Sequence, residues 1–277
     1  MFRTLIALCV LSAPLYAVPN GERAADRDIY SNSNLTRRPA EGDEFNFVLS
    51  LGGCSGFILG PNIGGSAAHC QKSGSIKSGV ALREGRPSDG TIGNTIEIGS
   101  VNQYDYWIFE IRWSGGKLPE GAELVPRIQT TEKDLAIGEH WEADSIYTLG
   151  FPADISSGQL IHSWGYPKSS GTDGRIVNNI ALINGNSGGG IWRESDNMLV
   201  SVVSGGPHAF QQPGWNNNDW MDPSHWNHGP AMWKVYGNSQ RLKDIFPDGK
   251  NRYLGAERDY ENLSFALPHV ALNSWVY

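Results

Sequence analysis

The sequence predicts an all-β fold, an antiparallel barrel or sandwich, on three observations. From Phe45 onward, short runs alternate apolar and polar residues, the period of a half-buried strand. Gly, Pro, Asn and Ser break those runs at a spacing of roughly 8–15 residues. Helical and strand-like runs do not alternate, so a doubly wound α/β sheet is excluded.

The runs can be taken in order. Residues 45–51 (FNFVLSL) and 54–60 (CSGFILG) are rich in Phe, Val, Leu and Ile, side chains that suit a pleated, half-buried surface. Residues 94–101 (NTIEIGSV) and 105–113 (DYWIFEIRW) continue the series, and many of the runs show period-two alternation. The second half supplies 145–151 (SIYTLGF), 159–164 (QLIHSW), 175–183 (RIVNNIALI) and 198–205 (MLVSVVSG). One helix is expected, late in the chain. Asn238 or Ser239 is its N-cap, Leu242, Ile245 and Phe246 share one face, and Pro247 ends it.

Residues 1–17 have a different character. Arg3 precedes an apolar run from Leu5 to Leu11, and the small residue Ala17 follows, the form of a secretory signal peptide too short to span a bilayer. An exported chain, extracellular or periplasmic in a bacterium, is therefore expected. Residues 18–44 are polar and aperiodic. They read as a leader or pro-segment with Arg37-Arg38 as its processing point, or as an exposed arm that stays attached. The chain carries a formal charge of −7, and 21 − 29 = −8 once Arg3 is lost with residues 1–17. Without a basic run, nucleic acid is excluded as a partner, and anionic membrane is disfavoured for the mature form. Export removes Cys9 and leaves Cys54 and Cys70, which in an oxidising compartment most simply form one disulfide.

Three short stretches carry chemistry. Residues 64–70 (GGSAAHC) set His69 beside Cys70, so a bridge to Cys54 would fix the backbone under the imidazole, as a general base requires. Residues 104–111 (YDYWIFEI) place Asp105 at the head of an apolar strand, a costly position for a carboxylate unless it orients a histidine. Asp89, Asp134, Asp144, Asp154 and Asp173 also lie between His69 and Ser187, each in a turn-like stretch. Residues 183–192 (INGNSGGGIW) hold Ser187 in a glycine-rich turn. Gly185-x-Ser187-x-Gly189 also fits the nucleophile elbow of α/β-hydrolases. That motif needs a helix directly after the serine, which GGGIW cannot start.

These stretches resemble the chymotrypsin-like (trypsin-fold) serine peptidases over about residues 45–247, in the order histidine, aspartate, serine. SAAHC is similar to the histidine motif, with Ser66 where Thr is usual, DYWIFEI to the aspartate strand, and GNSGGG to the serine motif. Residues 201–207 (SVVSGGP) resemble the strand beside the substrate, with Ser204 near the aspartate. The resemblance implies two six-stranded antiparallel β-barrels, about 45–135 and 140–247, packed together with a C-terminal helix. It implies a Ser187-His69-Asp105 triad, an oxyanion hole of the Gly185 and Ser187 N–H groups, and no cofactor or metal. Residues 248–277 have no counterpart in the family and form a C-terminal extension.

Departures from the family narrow the reading. Asn186 stands where most animal members have aspartate, and no Ile-Val-Gly-Gly follows an arginine near Phe45. Both agree with the bacterial glutamyl endopeptidase-like branch, which shares the asparagine and a turn like Gly150-Phe151-Pro152. An oxyanion hole held by neutral hydrogen bonds is therefore expected. Trp107 replaces a small residue, a ring that fills a larger core. The resemblance implies a pocket for the residue before the scissile bond with Ala181 at its base and Leu182, Val203, Ser204, Gly205 and Gly206 around it. Without an aspartate at 181, cleavage after Lys or Arg is disfavoured. Glutamate-specific relatives use a histidine where this chain has Val203, so a small or apolar residue is preferred. Residues 208–228 read as an insertion beside the pocket. There His208, His225 or His228 would restore acidic specificity, or with Asp219 and Asp222 hold a metal, against the plainer reading of a polar surface loop.

The expected function is that of a secreted, monomeric serine endopeptidase acting on protein or peptide substrates through an acyl-enzyme. The alternative is a catalytically weak binding or adhesion protein on the same fold.

Overall fold

A computed structural model describes residues 37–254, apart from 102–103, 139–141, 154, 156–157, 171–173 and 207–226. The signal-peptide stretch, most of residues 18–44 and of the 208–228 insertion, Asp154, Asp173 and the tail beyond 254 lie outside the described residues.

The first half closes into a barrel. Its strands are β2 (Val48–Ser50), β3 (Ser55–Gly60), β4 (Ile63–Ser66), β5 (Ser75–Ser78), β6 (Gly90–Ile98) and β7 (Trp107–Trp113), in the order β2-β3-β4-β7-β6-β5. Leu49, Leu51, Ile58, Ile76, Ile92, Phe109, Ile111 and Trp113 fill its interior. Trp107 belongs to the same cluster. It is 1% exposed, its ring centroid lies 4.3 Å from that of Phe109, and its Nε1–H donates to Thr95 Oγ1 at 3.1 Å.

β4 carries no hydrophobic signal in its sequence because its glycines are where neighbouring rings land. A Cβ on Gly64 would sit 2.4 Å from Phe109, and one on Gly65 2.3 Å from Phe57. The aromatic rings of β7 and β3 thus do the packing that β4 side chains would otherwise do, and they let β4 run into the turn bearing His69.

The second half is built around a six-stranded sheet. It takes β1 (Arg37–Pro39), β8 (Arg127–Ile128), β9 (Ile146–Gly150), β10 (Ile161–Gly165), β13 (Gly190–Arg193) and β14 (Met198–Val202), in the order β1-β10-β9-β13-β14-β8. All neighbours are antiparallel except β14 and β8. A three-stranded sheet of β11 (Pro167–Ser170), β12 (Arg175–Asn178) and β15 (Asn227–Pro230) joins it through bridges Ser201–Ala231 and Gly205–His228. Trp192, fully buried on β13, sets its ring edge-on to Phe47 at 5.1 Å and Phe57 at 6.2 Å. Such aromatic pairs contribute about 0.5–1.5 kcal/mol beyond their buried area, and these two fasten the sheet to the barrel.

Residues 37–44 are part of this fold and not of a polar arm. β1 pairs with β10 in the register Arg37–Ser163, Arg38–His162 and Pro39–Ile161, and Arg37 is only 4% exposed. The Glu44 carboxylate binds both Arg38 and His162, with His162 Nδ1–H donating at 2.6 Å. A three-residue strand is too short to show a period, and its order comes from β10 and from Glu44, which binds Arg38 six residues away and reaches His162 118 residues away. The Arg37-Arg38 pair therefore lies within a paired strand.

A short helix, α1 (Gly79–Arg83), follows β5, and the late helix is preceded by another. α2 (Met232–Asn238) runs up to Ser239, whose hydroxyl accepts from Leu242 N–H at 3.0 Å and caps α3 (Gln240–Ile245). Leu242, Ile245 and Phe246 are buried, as the shared face requires.

Candidate active site

The site lies at the junction between the barrel and the six-stranded sheet. His69 occupies a single 3₁₀ turn (Ala68–Cys70) directly after β4. Cys70 is bonded to Cys54, sixteen residues earlier, and the two sulfurs and a His69 ring nitrogen lie within 4.8 Å of one another. The disulfide thus sits beside the imidazole and ties its turn to the start of β3.

Asp105, 3% exposed, grips His69 twice. Oδ2 lies 2.7 Å from Nδ1, and Oδ1 accepts the His69 backbone N–H at 3.0 Å. The Ser204 hydroxyl donates to Oδ2 at 2.6 Å. With an ionised carboxylate as partner, Nδ1 carries the hydrogen, so Nε2 of the neutral ring is the acceptor. Burial pushes the Asp105 carboxyl up, but the bonds from the His69 ring, Ser204 and the His69 N–H outweigh it and hold the pKa below the ordinary value. The same bond to Asp105 raises the His69 pKa, with burial opposing and charge attraction adding. Asp89, Asp134 and Asp144 instead accept backbone N–H groups in turns, from Ser78, Thr131 and Ala136.

Ser187 lies in a loop whose backbone is pinned carbonyl by carbonyl. Asn184 O accepts from Ala153 N–H at 2.8 Å, Gly185 O from the Ser55 hydroxyl at 2.8 Å, Asn186 O from Gly189 N–H at 3.0 Å, and Ser187 O from Ser55 N–H at 2.8 Å. Asn186 N–H donates to Ile183 O at 3.1 Å, which closes a turn with Gly185 at its third position at φ +95°. That position of a type II turn takes a positive φ and hence glycine. A Cβ there would also lie 2.1 Å from Phe151 O. In a trans peptide the N–H points opposite the preceding C=O, so fixing Asn184 O and Asn186 O aims the N–H groups of Gly185 and Ser187 the other way. Among the described residues neither N–H has an acceptor.

The loop is seated against the histidine turn. A Cβ on Gly188 would meet Ser66 Oγ at 2.0 Å and Ala67 N at 3.0 Å. Strand β13 follows the loop, as the glycines after Ser187 imply, and not the helix of a nucleophile elbow. Asn186 is 1% exposed, packs against Gly150 and leaves Oδ1 without a donor among the described residues.

Of the expected pocket residues, Leu182 and Val203 pack into a cluster with Ile180 and Ile191, while Ala181 is buried outside it. Gly205 exchanges backbone hydrogen bonds with His228 at 3.1 and 2.8 Å. The sequence reading missed Asn227. This residue is 3% exposed, its Nδ2 donates to Ile180 O at 2.6 Å, and its Oδ1 would lie 2.0 Å from a Cβ on Gly206. Its side chain spans from the 180–182 segment to Gly206. Only pairing with β12 exposes it, because the surrounding sequence reads as one polar insertion.

Solved structures share this architecture. A Glu endopeptidase bound to MPD matches at 18% identity over 74% of this chain and 97% of its own, with a TM-score of 0.50. A structure described as HL collagenase matches at 14% identity over 75% and 97%, with a TM-score of 0.55. Neuropsin, a serine protease from mouse brain, matches at 14% identity over 73% and 96%, with a TM-score of 0.54. The fold is that of the trypsin-like serine proteases. No protein-family model and no curated protein matches the sequence. At identities this low the relation lies in the trypsin-like backbone, with little of the sequence shared beyond it.

Proposed function

We propose that the protein is an exported serine endopeptidase in which Ser187 attacks, His69 moves the proton and Asp105 holds the imidazole. One observation carries the reading: a buried carboxylate grips a half-exposed histidine at 2.7 Å, on the turn against which the Ser187 loop is seated. In the reaction Ser187 Oγ bonds to the scissile carbonyl carbon while its proton passes to His69 Nε2. The carbonyl oxygen takes the negative charge and is met by the N–H groups of Gly185 and Ser187, each worth roughly 2.7–4 kcal/mol to the transition state. The tetrahedral intermediate collapses as the C–N bond breaks and His69 protonates the leaving amine. Water then repeats the sequence on the acyl-enzyme, with His69 as base.

A small residue before the scissile bond fits best, since the Asn227 side chain reaches from Ile180 to Gly206 across the expected pocket. Export agrees with the Cys54–Cys70 bridge and with the absence, among the described residues, of any helix long and apolar enough to cross a membrane.

Cleavage of a peptide library by the wild-type chain and by Ser187→Ala tests the reading. Turnover that favours small residues, with roughly a 10⁶-fold loss in the variant, is expected, as is labelling of Ser187 by an organophosphonate. A folded wild-type chain that neither cleaves nor labels would return the protein to the binding alternative.

A further inference from the structure

Ser55 is fully buried at the start of β3, next to Cys54, and every polar atom it owns is engaged. Its hydroxyl donates to Gly185 O at 2.8 Å and accepts from Phe151 N–H at 3.1 Å. Its own N–H donates to Ser187 O at 2.8 Å, and its C=O accepts from the Ser66 hydroxyl at 2.8 Å. One residue of the barrel thus holds two of the four carbonyls that orient the Ser187 loop. It also ties that loop to the 151–153 turn, whose Ala153 N–H holds a third.

The place where this hold matters is Gly185. Glycine is needed there for φ +95° and for the close approach of Phe151 O, yet the same permissiveness lets the residue swing to other conformations. A rotation of the 184–185 peptide would withdraw the Gly185 N–H and turn a carbonyl oxygen toward the oxyanion. The Asn186 Oδ1 adds no hydrogen bond to hold that peptide, since it has no donor among the described residues. The Ser55 hydroxyl bounds that glycine from both sides. Its bond to Gly185 O fixes the next peptide, 185–186, and its bond from Phe151 N–H holds the turn whose Ala153 N–H pins Asn184 O, the carbonyl of the peptide that would rotate.

We propose that Ser55 is a positioning residue that locks Gly185 with its N–H facing the reacting carbonyl, so that the barrel half sets the oxyanion hole of the loop in the other half. Ser55 touches neither substrate nor the reacting atoms. It acts through Gly185, and the proposal rests on the peptidase reading above.

The two can be separated by experiment. Wild type, Ser55→Ala, Ser55→Thr and Ser55→Val are compared on one peptide substrate, with thermal unfolding of each and with a peptidyl boronate, whose adduct with Ser187 places a negative oxygen-bearing centre in the site. Ser55→Ala is expected to lower kcat by about 10- to 100-fold, a fraction of the 10²–10³ seen when an oxyanion donor is removed outright. KM should stay within about twofold, because ground-state binding is untouched. Boronate affinity should fall in parallel with kcat. Ser55→Thr, which keeps the hydroxyl, should recover most of the loss, whereas Ser55→Val, its isostere, should not. The Thr and Val pair decides the matter if Ser55→Ala does not fold. A kcat for Ser55→Ala or Ser55→Val equal to wild type, or a loss that tracks unfolding alone, overturns the positioning role while the peptidase reading stands. A folded wild type with no Ser187-dependent turnover overturns both.

Discussion

Asp105 holds His69 at two points, the ring Nδ1 at 2.7 Å and the backbone N–H at 3.0 Å. The double contact fixes the imidazole about the Cα–Cβ axis and also fixes the turn that carries it. Ser204 adds a third bond from β14's end, so the carboxylate joins the barrel to the sheet as well as orienting the ring.

Asp105→Asn is expected to lower kcat by about 10⁴-fold, because an amide there favours the wrong histidine tautomer. The pH dependence gives a second readout. The proposed mechanism needs neutral His69, whose pKa is raised by the Asp105 bond, so activity is expected to rise with pH through a value above the ordinary histidine figure of about 6.5. In the variant that limb moves to lower pH. Stability follows the same pair: the His69 contribution is complete below about 6.5 and lost as pH rises through its folded pKa. The Asp105 contribution is complete above about 3.9 and lost as pH falls through its own. An unchanged acid limb in Asp105→Asn would sink the assignment.

Glu44 governs how β1 is held. Burial pushes its carboxyl up, but bonds from His162, Arg38 and the Glu41 N–H bring it down to about 2. A depressed carboxyl stabilises the fold above its unfolded value of about 4.3, and that contribution drains away as pH falls toward about 2. Urea unfolding between pH 5 and pH 2 should show the wild-type midpoint dropping more steeply than that of Glu44→Gln. Equal slopes would count against the network.

Asn186→Asp places a carboxylate where a buried Oδ1 already has no donor among the described residues. Uncompensated burial raises the carboxyl pKa in the folded state. The variant should therefore match wild type near pH 4 and lose stability as pH rises, by about 2 kcal/mol or more at pH 7. An N-terminal extension ahead of Arg37 should leave wild-type turnover intact, since the loop is held by neutral bonds from Ser55, Ala153 and Gly189. Turnover that vanishes with the extension would show that a free N-terminus takes part.

What the sequence made legible was whatever its own neighbours determine. Apolar runs between turn residues, many of period two, located β2, β3, β6, β7, β9, β10, β12 and β14, and the cap pattern at Ser239 located α3. His69 and Asp105 stood out because both sit in short strings whose neighbours are otherwise small or apolar. What stayed hidden depends on partners far along the chain. β1 draws its order from β10, β4 from the rings of Phe57 and Phe109, and Asn227 from Ile180 O. Ser55 was the hardest to read. A serine beside a cysteine has no local signal, and its importance comes from Gly185 and Ser187, 130 and 132 positions later.

The pairing of β1 with β10 also sets an order of events during synthesis. Chains generally fold N-terminal part first as they emerge, so the barrel of residues 48–113 has its strands in hand early. β1, made before any of them, must wait unpaired until residues 161–165 arrive. Ser204, which completes the grip on Asp105, comes later still. The half of the candidate site that carries His69 is therefore made before the half that carries Ser187, and the proposed hydrolytic activity can arise only once Ser204 has joined Asp105.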